Sequence, residues 1–176
     1  MISIISGTNR PNSNSLRVSE YYSKLLLEHG FENQILNLEQ LPADFVVNDS
    51  FGSRSEVMSD IIATYVQPVE HFIFVIPEYN GSFPGVLKAF IDCLPPSDLH
   101  HKSSALVGLS SGYAGGARAM DQFTNVLNYL KVNVNYCKPK LSGIDGLIIG
   151  QEVSDQVGEK LLVQLNTLTN FFQNKE

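Results

Sequence analysis

The fold is decided by the stretch from His71 to Cys93, which reads His-Phe-Ile-Phe-Val-Ile-Pro-Glu-Tyr-Asn-Gly-Ser-Phe-Pro-Gly-Val-Leu-Lys-Ala-Phe-Ile-Asp-Cys. Its apolar start predicts a buried strand. A loop follows with a carboxylate, an aromatic ring and an amide between prolines and glycines, and an apolar helical pattern covers 86–94. Open α/β sheets bind ligands at the carboxyl ends of their strands, so this loop suits a flat heteroaromatic ligand. The alternative is an ordinary strand–turn–helix joint, where proline and glycine are common.

The same alternation of apolar runs and helical patterns continues on both sides of this stretch. Continuous apolar runs, typical of parallel strands buried on both faces, predict strands at 2–6, 34–38, 72–76, 105–110 and 133–136. Apolar residues at helical spacing predict helices at 15–29, 55–67, 116–130 and 154–172. Five such units predict one α/β domain over 1–176 with a doubly wound, five-stranded parallel sheet and helices on both faces. The expected strand order is the flavodoxin-like 2-1-3-4-5.

Composition and charge exclude several classes of protein. Hydrophobic residues make up 43% and charged residues 17% of the chain, as in globular proteins. A formal charge of −6 with scattered lysines and arginines argues against nucleic acid as a partner. No apolar run approaches the ~18 residues of a membrane span, and the N-terminus lacks the basic flank of a signal peptide. With two cysteines at no metal-binding spacing, we expect a cytoplasmic protein with reduced thiols and no bound metal.

A polar loop follows the first predicted strand and leads into the first helix. It reads Gly-Thr-Asn-Arg-Pro-Asn-Ser-Asn-Ser over 7–15 and supplies hydroxyls, amides and one cation. Such a loop at a helix N-terminus can surround a phosphate. It is neither a GxGxxG nor a Walker A sequence, and its side-chain donors favour a terminal phosphomonoester. The alternative is a helix cap with more polar residues than a cap requires.

A glycine-rich loop follows the fourth predicted strand and reads Ser-Ser-Gly-Tyr-Ala-Gly-Gly-Ala-Arg over 110–118. Gly112, Gly115 and Gly116 would let the backbone lie close to a ligand, and Tyr113 would cover a ring. A flexible βα turn is the alternative. Because loops after strands 1, 3 and 4 meet at one edge of the predicted sheet, we expect a single crevice there.

These three loops resemble the NADPH-dependent FMN reductase family of flavodoxin-like quinone, azo-dye and chromate reductases. Residues 7–13 match the Gly-Ser-x-Arg-x-x-Ser motif, with Thr8 in place of the usual serine. Residues 77–92 match Pro-Glu-Tyr-Asn-Gly-Ser-x-Pro-Gly-x-Leu-Lys-x-x-x-Asp throughout, and 115–118 match Gly-Gly-x-Arg. The resemblance covers about residues 1–150 in the same order and spacing.

The resemblance implies an FMN cofactor, NADPH or NADH as co-substrate, a small-molecule electron acceptor and a homodimer or homotetramer. It assigns the FMN phosphate to hydroxyl and cationic side chains, with Asn14 as an addition: Thr8, Arg10, Ser13 and Ser15. It assigns the isoalloxazine and ribityl chain to Pro77, Glu78, Tyr79, Asn80, Gly81 and Ser82, with Ser111 and Gly112 from the third loop. The flavin carries the chemistry, so no catalytic side chain is expected.

Two other functions remain open on the sequence. One is a flavodoxin-like electron carrier, which binds FMN without a nicotinamide site. The other is a catalytically silent FMN-binding or regulatory module, since a fold alone does not imply an activity.

Overall fold

A mostly parallel sheet lies at the centre of the structure, a computed structural model that describes residues 1–50, 52–150 and 152–173. Its strands are β1 (Ile2–Ser6), β2 (Asn33–Asn37), β3 (His71–Pro77), β4 (Ser103–Ser110), β5 (Asn133–Val134) and β6 (Lys140–Ser142). The order is β2-β1-β3-β4-β5, with β6 also paired to β4, and all these pairs are parallel. The predicted fold class and strand order are therefore confirmed.

The fifth position of the sheet differs from the prediction. A strand over 133–136 was expected, but β5 ends at Val134. Strand β6 then takes its place beside the carboxyl-terminal half of β4. Two local features explain the break. The Asn135 side chain accepts a hydrogen bond from the Cys137 amide at 2.7 Å, which turns the chain, and Pro139 has no amide hydrogen for a ladder.

Helices cover both faces of the sheet, as predicted. They are α1 (Asn14–Glu28), α2 (Phe45–Asn48), α3 (Glu56–Tyr65), α4 (Gly85–Cys93), α5 (Ala117–Tyr129), α6 (Ile144–Leu147) and α7 (Asp155–Gln173). Side chains of α1 and α7 pack on one face, and those of α3, α4 and α5 on the other. Neighbouring strand residues alternate between these two cores, for example Ile4 and Ile5 of β1.

Short elements complete the fold beyond the predicted ones. Two 3-10 turns, Leu38–Gln40 and Pro96–Asp98, follow β2 and α4. Strands β7 (Ile148–Ile149) and β8 (Glu152–Val153) pair antiparallel just before α7. Among the described residues, no helix is long and apolar enough to cross a membrane.

The cysteine thiols behave as expected from the sequence. Cys93 and Cys137 are free, and Cys93 is buried at the end of α4. Burial raises the pKa of both thiols above its usual value, so both stay protonated at neutral pH. Neither cysteine has the low-pKa environment of a reactive thiol.

Close packing brings the first loop up to the third strand. The Gly7 amide donates a hydrogen bond to the Val75 carbonyl at 2.9 Å. A Cβ atom on Gly7 would lie 2.9 Å from that same oxygen, so only glycine fits here without a shift of the backbone. This contact places the loops after β1 and β3 side by side at the carboxyl edge of the sheet.

Candidate functional site

A cavity of about 220 Å³ lies at this edge, where the loops after β1, β3 and β4 meet. It is lined by Arg10, Pro11, Asn12, Ser13, Asn14, Ser15, Pro77, Glu78, Tyr79, Leu109, Ser110, Ser111, Ile144 and Asp145. The crevice predicted from three separate loops is thus present, with a fourth contribution from α6.

The first loop presents an unused hydroxyl to the cavity. Ser13 caps α1, because its Oγ accepts a hydrogen bond from the Leu16 amide at 3.2 Å. Ser15 is 1% exposed, and its Oγ has no hydrogen-bond partner among the described residues. A buried hydroxyl without a partner is costly, so Ser15 is suited to donate to a ligand oxygen at the start of α1.

Thr8 joins the first loop to the second rather than lining the cavity. Its Oγ1 lies 3.1 Å from the Tyr79 hydroxyl and accepts a hydrogen bond from the Arg10 amide at 3.3 Å. The Thr8 side chain is fully buried. Its hydroxyl therefore holds Tyr79 and the backbone at Arg10 in place.

The second loop makes a tight turn at Asn80 and Gly81. Both residues have positive φ, 51° and 78°, as the central pair of a type I′ turn requires. The flanking residues close the turn, since the Tyr79 amide donates to the Ser82 carbonyl at 2.8 Å and the Ser82 amide to the Tyr79 carbonyl at 3.1 Å. Asparagine and glycine tolerate this backbone, which explains their position in the motif.

Two residues one helical turn apart on α5 hold this turn from the side. Arg118 Nη2 lies 2.8 Å from Glu78 Oε1. Gln122 Nε2 donates to the Gly81 carbonyl at 3.1 Å, and its Oε1 accepts from Ser82 Oγ at 2.6 Å. Asn80, Gly81 and Ser82 thus form the outer support of the site, while Tyr79 and Glu78 line the cavity.

Glu78 places a second unused oxygen beside the cavity. Its side chain is only 7% exposed, and Oε1 is paired with Arg118. Oε2 is buried without a hydrogen-bond partner in the described part of the chain. The carboxylate therefore offers one acceptor to a ligand that carries an N–H or O–H donor.

The glycines of the third loop serve packing more than ligand approach. A Cβ on Gly116 would lie 2.6 Å from the Cα of Gly108 in β4, and one on Gly115 would lie 2.8 Å from Ser142 Oγ at the end of β6. Gly115 and Gly116 do not line the cavity, and their close approach to a ligand stays a prediction. Tyr113 is fully exposed and covers no other group.

The structure gives the predicted site residues three positions. Arg10, Ser13, Asn14, Ser15, Pro77, Glu78, Tyr79 and Ser111 line the cavity. Thr8, Asn80, Gly81 and Ser82 support the lining residues through the hydrogen bonds above. Gly112 holds the third loop, because its carbonyl accepts from Ser110 Oγ at 2.9 Å.

Two residues of α6, together with Arg118 and Gln122 of α5, were not predicted for the site. Asp145 accepts a hydrogen bond from Asn14 Nδ2 at 3.0 Å and lines the cavity together with the buried Ile144. Gln122 supports the second loop from α5. No local motif marks Asp145 or Gln122, and each reaches the site through a contact that is distant in sequence.

The topology and the polar loop at the start of α1 together define a flavodoxin-like α/β protein with a site suited to a phosphorylated ligand. The chain belongs to the NADPH-dependent FMN reductase family, whose profile matches residues 1–137. This finding confirms the resemblance noted in the sequence.

Named relatives agree with the family. An FMN-dependent NADPH-azoreductase of Staphylococcus saprophyticus is 28% identical over 112 residues, which cover 62% of this chain and 60% of that protein. A quinone reductase of Escherichia coli K12 is 33% identical over 133 residues, 72% of this chain and 66% of the relative. The chain thus matches about two thirds or less of the length of these relatives.

A solved structure shows the same fold. FerB, a flavoenzyme NAD(P)H:(acceptor) oxidoreductase from Paracoccus denitrificans, aligns with a TM-score of 0.77 over 99% of this chain and 97% of its own. The two sequences are 19% identical. FerB therefore shares the fold found here.

Proposed function

We propose that this protein is an FMN-containing, NAD(P)H-dependent oxidoreductase that passes electrons to a quinone, a free flavin, an azo compound or a similar small acceptor. The observation that carries the proposal is the buried, unpartnered Ser15 hydroxyl at the start of α1, beside Arg10 in the same cavity. A hydroxyl, a cation and a helix N-terminus match the needs of a terminal phosphate. The family match and the named relatives point to the same cofactor and co-substrate.

The residues present fit FMN at both ends of the cavity. Arg10 and Ser15 would donate directly to the phosphate. Ser13 would add its hydroxyl hydrogen and Asn14 its remaining amide hydrogen, while Thr8 positions the Arg10 amide. Toward the ribityl chain and ring, the lining residues of the second and third loops would be Pro77, Glu78, Tyr79 and Ser111, supported by Asn80, Gly81, Ser82 and Gly112. Glu78 Oε2 has no hydrogen-bond partner among the described residues, so it would accept a hydrogen bond from an N–H group of the flavin ring.

When bound, FMN supplies the hydride-accepting and electron-donating chemistry. The protein side chains bind and orient it. Tyr79 is held through Thr8 and through the closed turn at Ser82, so its ring is fixed before any ligand arrives. We assign no proton transfer to a side chain, because Glu78, the carboxylate of the second loop, forms an ion pair with Arg118.

Binding of FMN against riboflavin tests the cofactor assignment. Purified protein should quench FMN fluorescence with near-stoichiometric saturation and bind riboflavin, which lacks the phosphate, much more weakly. Arg10→Ala should reduce FMN affinity by about 1.5–3 kcal/mol, the value of a hydrogen bond to a charged group, and leave riboflavin affinity unchanged. Equal affinity of the wild-type protein for both flavins would reject the phosphate site.

Reduction of the bound flavin tests the enzymatic assignment against its alternatives. An electron carrier or a silent module would retain FMN but would not react rapidly with NADPH. In an anaerobic stopped-flow experiment, we expect rapid bleaching of the flavin absorbance by NADPH or NADH and recovery on addition of a quinone. A flavin-loaded protein that stays oxidised with both nicotinamides would favour the alternatives.

We further propose a homo-oligomer, formed by a single domain over 1–176 and located in the cytoplasm. The cavity of about 220 Å³ is smaller than the usual 300–1,000 Å³ of a cofactor site. An apolar groove of about 520 Å³ between α4 and α5 includes Ile91, Val126 and the exposed Tyr129. A second copy packed on this groove would cover its apolar surface, and light scattering that gives a monomer with full activity would reject the oligomer.

A further inference from the structure

We infer that Asp145 sets how tightly the site retains a phosphorylated flavin, because it places a negative charge beside the loop that we assign to the phosphate. The inference rests on the proposed function. Its consequence is that FMN leaves and re-enters the site more readily than it would without this carboxylate.

A specific path of the chain brings Asp145 to the cavity. Strand β6 runs parallel to the end of β4, and Gly143 then turns the chain with a φ of 61°, a backbone that favours glycine. Ser142 Oγ donates to the Tyr113 carbonyl at 2.8 Å, and the Gly143 amide donates to the Gly112 carbonyl at 3.2 Å. These contacts anchor the start of α6 to the third loop, so the position of Asp145 is built into the fold.

Asn14 joins Asp145 to the first loop. Its Nδ2 donates to Asp145 Oδ1 at 3.0 Å, and its Oδ1 accepts from Arg17 Nη1 at 3.2 Å. Asn14 stands between Ser13 and Ser15 in the sequence, and all three line the cavity. The Asp145 carboxylate is therefore one short side chain away from the proposed phosphate donors.

The charges that line the cavity do not favour a dianion. The ionised lining residues are Arg10, Glu78 and Asp145, and Glu78 is already paired with Arg118. The negative charge of Asp145 offsets the positive charge of Arg10. Arg17 donates to Asn14 and is not among the lining residues. A phosphomonoester brings about −1.5 to −2 charges at neutral pH, so it meets less compensation here than Arg10 alone would give.

Asp145 also lies outside residues 1–137, the part of the chain that matches the family. The motifs shared with the family end before α6, whereas this carboxylate comes after it in the chain. Asp145 therefore reaches the site from a segment outside the residues that match the family.

The size of the effect follows from screened electrostatics. Asp145 is exposed, so a water-like dielectric applies. Repulsion between this carboxylate and a phosphate dianion held one short side chain away would then weaken binding by a factor of about three to ten at low ionic strength. The same repulsion should fade at about 1 M salt, where charges are screened over about 3 Å.

Asp145→Asn tests the inference with little change of shape, since an asparagine Oδ1 can still accept from Asn14. Dissociation constants for FMN and riboflavin would be measured by flavin fluorescence at low and high salt. We expect the variant to bind FMN about three- to tenfold more tightly at low salt, with the gain lost at high salt and riboflavin affinity unchanged. Asp60→Asn on α3, an exposed carboxylate that does not line the cavity, is the matched control for net charge.

Each remaining outcome decides against the inference. An unchanged FMN affinity in Asp145→Asn, with tight binding by the wild-type protein, overturns the role of Asp145 and leaves the proposed function intact. Weaker FMN binding would mean that the carboxylate supports the ligand rather than repelling it. A similar gain for riboflavin, or for Asp60→Asn, would show that charge at the phosphate is not the cause. Failure of the wild-type protein to bind FMN at all would reject the proposed function and the inference together.

Discussion

Replacing Ser15 with alanine should have opposite consequences for the free and the FMN-bound protein. In the free protein, Ser15 Oγ is buried and lacks a hydrogen-bond partner in the described residues. Ser15→Ala removes a polar group that was taken out of water without compensation. In the bound protein, the same hydroxyl would donate to a phosphate oxygen, so the substitution removes a hydrogen bond to a charged group.

The magnitudes can be worked out from these two environments. A buried hydroxyl without a partner costs about 1–3 kcal/mol, part of which is recovered when it is deleted. Alanine is also the better helix former by a few tenths of a kcal/mol, so we expect the free energy of unfolding to stay constant or rise by about 1 kcal/mol. A hydrogen bond to a charged group contributes about 1.5–3 kcal/mol, so FMN affinity should fall about ten- to a hundredfold.

Ser13→Ala is the matched control, since it deletes the same hydroxyl two positions earlier. Ser13 Oγ accepts from the Leu16 amide and caps α1. Loss of this cap should lower the free energy of unfolding by about 1 kcal/mol. Urea unfolding of the ligand-free proteins and fluorescence titration with FMN and riboflavin would be run on both variants side by side.

The reasoning would be refuted if Ser15→Ala lost as much stability as Ser13→Ala in the absence of ligand. That result would mean the Ser15 hydroxyl already has a partner within the protein. Equal weakening of FMN and riboflavin binding by Ser15→Ala would refute the contact with the phosphate, because riboflavin has no phosphate for the hydroxyl to reach.

Two further predictions concern the loops around Gly7 and Tyr79, and a third concerns the steady-state kinetics. Tyr79→Phe should lower the free energy of unfolding by about 1 kcal/mol, because it removes the hydrogen bond to Thr8 Oγ1; urea unfolding measures this, and an unchanged midpoint would contradict it. Gly7→Ala should destabilise the protein by about 1–3 kcal/mol, since its Cβ would lie 2.9 Å from the Val75 carbonyl oxygen; a variant as stable as wild type in the same assay would show that β3 moves freely. Steady-state rates with NADPH at several quinone concentrations should give parallel double-reciprocal plots, since both substrates have to reach the same open side of the cavity; intersecting lines would indicate separate sites.

Local sequence patterns predicted the fold and the lining of the site because those features depend on neighbouring residues. Apolar runs of strand length identify β1 and β3 without knowledge of their partners. Likewise, the positive φ of Asn80 and Gly81 is a property of the turn itself, and asparagine followed by glycine is a sequence that tolerates it. The order of the strands was predicted from the arrangement that doubly wound sheets of five βα units commonly adopt.

Features that depend on distant contacts were missed. Asp145 contacts Asn14 across 131 positions, and Gln122 contacts Gly81 across 41. The expected strand over 133–136 ends early because the Asn135 side chain accepts a hydrogen bond from the Cys137 amide and turns the backbone. Such a side-chain hydrogen bond competes with strand pairing, and a pattern of apolar residues does not reveal it. Gly115 and Gly116 were read as ligand contacts, but their close neighbours are Gly108 and β6, which only the folded sheet brings to them.

The hydrogen bonds of the second loop bear on how much binding energy remains available to the ligand. Ordering a loop on binding costs free energy that reduces affinity. Here the turn at Asn80 and Gly81 is closed by its own backbone, tied to α5 by Gln122 and joined to the first loop by the Tyr79 hydroxyl. These constraints are present without ligand, so contacts with FMN need not pay for ordering this loop. The opposing charge of Asp145 acts at the other end of the cavity, and the two effects together predict a flavin that is held in one orientation but is free to exchange.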